Sequence, residues 1–137
     1  MISRDELTKI IQQEGDYKEF EYQGLRCIIR RVRPMCHLCG YVEIPKTLLE
    51  KPDDWYEERI NVHGGVTYVG ELPVEEKKKI RVIGFDCAHI SDLVPQLYIE
   101  MNMGPLDGDS YRDMDFCRKE CEHMADQLLE YDEVFRS

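Results

Sequence analysis

The segment "KKIRVIGFDCAH", Lys78 to His89, decides the fold class. Its short apolar run is rich in β-branched and aromatic side chains and reads as a strand. Extended throughout, it would send Ile83, Phe85, Cys87 and His89 to one face and Asp86 to the other. Upstream, "FEY", the Gln23-Gly24 turn, "LRCIIRRVR" and "GYVEI" before Pro45 read as a hairpin plus a third strand. "KPDDWYEERI" has room for one or two helical turns, and "INV", His63-Gly64-Gly65 and "VTYVG" suggest a further tight hairpin.

Helices close both ends of this β-rich stretch. Ser3 followed by Glu6 is a capping-box pattern, and Leu7, Ile10 and Ile11 recur at helical spacing before Gly15. From Ser110, the expected N-cap, to Phe135 there is neither Gly nor Pro. Met114, Cys117, Cys121, Met124, Leu128, Tyr131 and Phe135 alternate at spacings of three and four, a narrow apolar seam. Such a helix runs roughly 35 to 40 Å, longer than a small sheet covers, so part of the seam is expected to meet another subunit. The fold expected is α+β: an antiparallel sheet with a short N-terminal helix and a long C-terminal helix, one domain over 1–137, assembling as a homo-oligomer.

The formal charge of -10 argues against DNA, RNA or an anionic membrane as a partner, since phosphate surfaces repel such a chain. The opening "MISRDELTKIIQQEG" has no apolar leader core and no segment approaches membrane-spanning length, which points to the cytosol. In that compartment the six cysteines read as reduced thiols or ligands rather than a disulfide framework.

Several chemistries compete. "CHLC", Cys36 to Cys39, has the spacing of half a zinc site, but a second ligand pair would have to come from elsewhere, and Cys117 and Cys121 belong to the seam. A Cys87 nucleophile with a His89 base is conceivable, although strand geometry would turn Asp86 away from that ring. His63 precedes two glycines, where a backbone without Cβ lets a ligand come close. Arg26, Arg30, Arg31 and Arg33 concentrate positive charge on one strand, and Arg112 would lie in the first turn of the long helix, where a cation is disfavoured unless an anion is present. The approach "GPLDGDSY" to that helix lacks the ending of a nucleotide-hydrolase P-loop. Asp109, Asp113 and Asp115 are alternative partners for Arg112. These residues alone point to a pocket for a small phosphate-bearing molecule.

"VHGGVTY", "IGFDCAH" with Asp92 shortly after, and "YRDMDFCRKECEHMADQL" together resemble the phage Thoeris anti-defence sponge family, first type, over roughly Arg26 to Leu129. The resemblance implies a phage protein in the host cytoplasm that binds cyclic ADP-ribose isomers made by bacterial TIR-domain immune enzymes and sequesters them uncleaved. Some members also bind cyclic oligonucleotides at a separate intersubunit site. It implies a homodimer or an assembly of dimers and no cofactor. By resemblance, Phe85 stacks on adenine, Arg112 and Arg31 clamp the pyrophosphate, Asp92 and His89 meet ribose hydroxyls, and Arg59 serves a second anionic site. "CHLC" is no part of that pattern. Two other readings stay open: a small Cys/His or metal-dependent enzyme acting on a nucleotide, and an inhibitor whose acidic surface mimics nucleic acid.

Overall fold

A computed structural model describes residues 2–75, 77–103, 105, 106 and 108–136. Five strands form one antiparallel sheet: β1 (Tyr17–Tyr22), β2 (Leu25–Arg31), β3 (Leu38–Glu43), β4 (Tyr68–Glu75) and β5 (Lys78–Asp86), in the order β1-β2-β3-β5-β4. Among the described residues four α-helices accompany it, α1 (Arg4–Glu14), α2 (Asp53–Arg59), α3 (Pro95–Ile99) and α4 (Met114–Arg136), with a 3-10 turn at Lys46–Leu48. The expected α+β architecture is present, with the short helix first and the long one last. No helix among the described residues is long and apolar enough to cross a membrane.

Alternation along the central strands divides the core. Cys27 and Ile29 of β2, Val42 of β3, and Ile83 and Phe85 of β5 pack with Met114, Cys117, Cys121, Met124 and Leu128 of α4. Their partners on the opposite face, Ile28, Cys39, Tyr41, Leu72, Ile80 and Val82, form a smaller cluster. Full burial of an aliphatic or aromatic side chain contributes about 1.5–3 kcal/mol, so the helix-covered face is the main source of stability. At Gly40 the sheet and α4 meet most tightly: a Cβ there would lie 2.8 Å from Phe85 Cζ and 2.9 Å from Cys121 Sγ.

The capping box of α1 is present, with Ser3 Oγ accepting from the Glu6 N–H at 3.1 Å and Glu6 Oε1 accepting from the Ser3 N–H at 3.3 Å. Gln23 and Gly24 turn β1 into β2 with φ of 52° and 85°, the doubly left-handed turn whose twist suits a two-residue hairpin.

Three expectations about element boundaries need correction. The long helix starts at Met114, not near Ser110, because Ser110 donates its N–H to Ser91 O and accepts from the Leu93 N–H, which commits it to an extended bridge with the Asp92 segment. Asp113 is the cap, its Oδ1 accepting from the Phe116 N–H at 2.8 Å. "INV" forms no strand: Tyr68, Val69 and Gly70 instead open β4, which pairs with β5. Finally, β5 ends at Asp86, and the chain bends as Asp86 Oδ1 accepts from the Ala88 N–H. Gly104 and Asp107 of the "GPLDGDSY" approach lie outside the described residues.

The seam is largely satisfied by its own sheet. Met114, Cys117, Cys121, Met124 and Leu128 are buried, and Tyr131 packs edge-on against Trp55 with ring centroids 5.0 Å apart. In the last turn Val134 is 66% and Phe135 46% exposed, with the Phe135 ring 6.3 Å from that of Trp55 and under Lys51 Nζ at 3.8 Å.

Candidate functional site

The bend after β5 and the pairing of Ser110 with the Asp92 segment bring three chain segments together. At their junction the Asp92 side chain is fully buried, a position a carboxylate holds only when its charge is met. His63 Nε2 lies 2.9 Å from each of its oxygens, Arg112 Nε donates to Oδ1 at 2.8 Å, and the His89 N–H donates to Oδ2 at 2.9 Å. Burial alone would raise the Asp92 pKa, but the donors from His63, Arg112 and His89 together hold it below the ordinary 3.8. The carboxylate consequently fixes two side chains at once. It makes Nε2 the proton-bearing nitrogen of His63, and it holds Arg112 by Nε alone. No partner to the Arg112 Nη groups occurs among the described residues, and its side chain is 26% exposed.

Phe116 supplies the floor. The His63 ring meets it edge-on at 5.1 Å between centroids, and the Arg112 guanidinium carbon lies 5.0 Å over the same ring. The His63 N–H donates to Glu120 Oε1 at 2.8 Å, anchoring the His63-Gly64-Gly65 turn to α4. Gly64 has a φ of 70°, and a Cβ there would come within 2.9 Å of His89 Cγ as well as closer to the ring's edge. Glycine is therefore required on two counts, conformation and space. The His89 ring sits 6.0 Å from that of His63, with its Nε2 3.0 Å from Asp86 Oδ1 but outside hydrogen-bond geometry. His37, immediately before β3, has a buried Nδ1 without a partner, and burial lowers its pKa against the opposing pull of Asp86 and Asp92.

Of the residues expected at a site, His63, His89, Asp92 and Arg112 are brought together. Phe85 is not: it is 1% exposed, packed between Gly40 and α4, and has no ring face free for a base. Arg31 is not free either. Its guanidinium donates to Asp16, Cys36 O, Tyr111, Glu14 and Gly15 O, and its side chain is fully buried, leaving no donor for a phosphate. Arg59 stacks over Trp55 at 5.0 Å, donates to that residue's carbonyl and belongs to a different region of the fold. The alternatives offered for Arg112 are also otherwise engaged, as Asp109 accepts from the Leu106 N–H, Asp113 caps α4, and Asp115 pairs with Arg118 and Lys119.

The N-terminus of α4 already has its anion: Glu14 Oε2 accepts from the Met114 N–H at 3.0 Å, and Asp113 takes the Phe116 N–H. A phosphate has no place there, and Arg112, lying before the cap, is directed by Asp92 rather than by the helix dipole. Asp86 reaches His89 after all, because the strand ends at Asp86 and the bend undoes the alternation expected of an extended chain.

Cys87 is 2% exposed, 3.6 Å from the Cys117 Sγ, and this thiol neighbour together with burial pushes its pKa far up. A thiol held protonated in a core is no nucleophile. The Cys36 thiol donates to Pro34 O, and Cys39 packs in the smaller core cluster. No group of three or more His, Cys, Asp and Glu side chains among the described residues is arranged to hold a metal ion. Phe116, Glu120 and His37 were not anticipated. Only Phe116 left a trace, since it stands off the apolar seam of its helix. No family model, curated protein or solved structure matches this chain.

Proposed function

We propose that this chain binds a small phosphate-bearing nucleotide signal of the cyclic ADP-ribose type and holds it uncleaved. It would act as a phage anti-defence protein in the host cytoplasm, as a homo-oligomer, and extend to cyclic oligonucleotides in some settings. The observation that carries the reading is the buried Asp92 carboxylate orienting Arg112 by Nε while its terminal N–H groups remain open, beside two imidazoles and a glycine turn. A guanidinium held this way keeps its planar fork for phosphate oxygens. The resemblance carried by "VHGGVTY", "IGFDCAH" and "YRDMDFCRKECEHMADQL" supplies the ligand class. Adenine recognition cannot run through Phe85 in this conformation, because its ring is buried against Gly40 and α4.

One observation favours a second reading. An imidazole oriented by a carboxylate, with another imidazole 6.0 Å away, is also an acid–base arrangement, so an enzyme acting on a nucleotide is the alternative. A single experiment separates the two. Protein is mixed with a cyclic ADP-ribose isomer, loss of free ligand is confirmed, and the complex is heat-denatured before mass spectrometry. Sequestration returns the intact isomer at about one equivalent per site, and a nanomolar Kd, about -12 kcal/mol, is the strength a micromolar signal demands. Linear or hydrolysed product in excess of the sites establishes the enzyme.

A further inference from the structure

The cluster has a charge problem that limits what it can bind. Facing His63 are Asp92, the Arg112 that shares this carboxylate, Glu120 and Phe116 from α4, and the His89 ring. Facing His89 are Asp86 at the end of β5, the Gly64 turn, His63, and, through its field, His37. Among the described residues the charged groups are thus three carboxylates, Asp86, Asp92 and Glu120, against one guanidinium. With every imidazole neutral the site is net negative, inside a chain of formal charge -10. A pyrophosphate would be repelled by the surroundings of the one side chain suited to hold it. Imidazole is the side chain that changes charge between about pH 5 and 8, and two of them reach solvent here, at 17% and 33% side-chain exposure. Protonating both cancels the excess, and each then stands beside a carboxylate that stabilises its charge.

We propose that the site takes up a pyrophosphate-bearing ligand together with protons, His63 and His89 being charged in the complex. The inference rests on the cluster being the ligand site. Protons enter from solvent as the anion docks, the imidazolium of His63 keeps Nε2–H on Asp92 and turns Nδ1–H into a second donor, and no bond of the ligand is broken. Binding therefore strengthens on acidification through the imidazole range, by up to tenfold per pH unit for each proton taken up.

The test is calorimetry with cyclic ADP-ribose near pH 7 in two buffers of unlike ionisation enthalpy, PIPES and Tris, together with Kd values at about pH 6 and about pH 8. The expected results are a buffer-dependent heat reporting proton uptake and a Kd at least about tenfold lower at the acid end. His63→Gln keeps an amide donor for Asp92, so it tests charge rather than folding. It and His89→Gln should each reduce the uptake, while the bound isomer's own protons are unaffected by either change. Binding with the same Kd at both pH values and no buffer dependence overturns the proposal and leaves the ligand site standing. Uptake unchanged in both variants overturns it equally, since the protons would not be theirs. No binding at either pH, with folding confirmed by circular dichroism, overturns the proposal together with the reading of the cluster as this ligand's site.

Discussion

Asp92 does more than any other residue to shape the site, because one carboxylate meets His63, Arg112 and the His89 N–H while fully buried. Asp92→Asn preserves the volume but removes the charge, and hydrogen bonds to a charged partner are worth about 1.5–3 kcal/mol. The variant should be less stable by about that amount in urea unfolding at neutral pH. The sign of the pH dependence follows from the lowered native pKa. A carboxyl whose folded pKa lies below its ordinary 3.8 contributes in full above that value, and the contribution fades as pH falls through the folded pKa. The part of the stability gap that the Asp92 charge supplies should thus be lost as pH falls through the folded carboxyl's range, so that the gap narrows in acid. A gap that does not narrow in acid would show that the charge is not what Asp92 supplies.

At the level of elements, β3, β5 and α4 meet where Gly40 faces Phe85 and Cys121, and the fit leaves no space for a methyl group. Gly40→Ala should cost about 1–3 kcal/mol of stability in thermal or urea unfolding, the usual cost of overpacking a core. Adding Phe85→Leu should recover part of that loss, because the shorter side chain vacates the space the new methyl needs. Phe85→Ala is a poor probe of ligand stacking for the same reason, as a truncated buried ring costs about 3–5 kcal/mol on its own. These contacts explain what was legible beforehand. Apolar alternation in "LRCIIRRVR" and "KKIRVIGFDCAH" and the three-four seam of α4 report burial directly, and burial is what places the sheet and the helix. Phe85 was legible as one face of a strand, but whether that face meets ligand or α4 is a tertiary fact. Arg31 shows the same limit, since nothing local says that Glu14, Asp16 and Tyr111 will converge on it. The start of α4 was misjudged because the pairing of Ser110 with Ser91 and Leu93 depends on residues about twenty positions away.

On the scale of the whole molecule, a second copy needs a surface that the chain's own packing leaves in water. The α4 seam from Met114 to Leu128 is used up inside the chain, which moves the expected contact away from most of that helix. Besides the singly exposed Tyr17, Leu49 and Tyr68, two groups of large apolar side chains are exposed among the described residues: the last turn, with Val134 and Phe135, and the segment after β5, with Ile90 96%, Met101 53%, Met103 60% and Leu106 73% exposed. The second has more large side chains in water, and its Ile90 stands in the chain between His89 and Asp92. Copies carrying a charge of -10 repel one another, and salt relieves that repulsion. Sedimentation at micromolar protein should show at least a dimer, strengthening as salt rises. The double variant Ile90→Glu with Met103→Glu should sediment as a monomer, whereas Val134→Glu with Phe135→Glu should associate as wild type does. A wild-type monomer at every concentration and salt would remove the oligomer from the proposed function, and dissociation by the helix pair alone would return the contact to the end of α4.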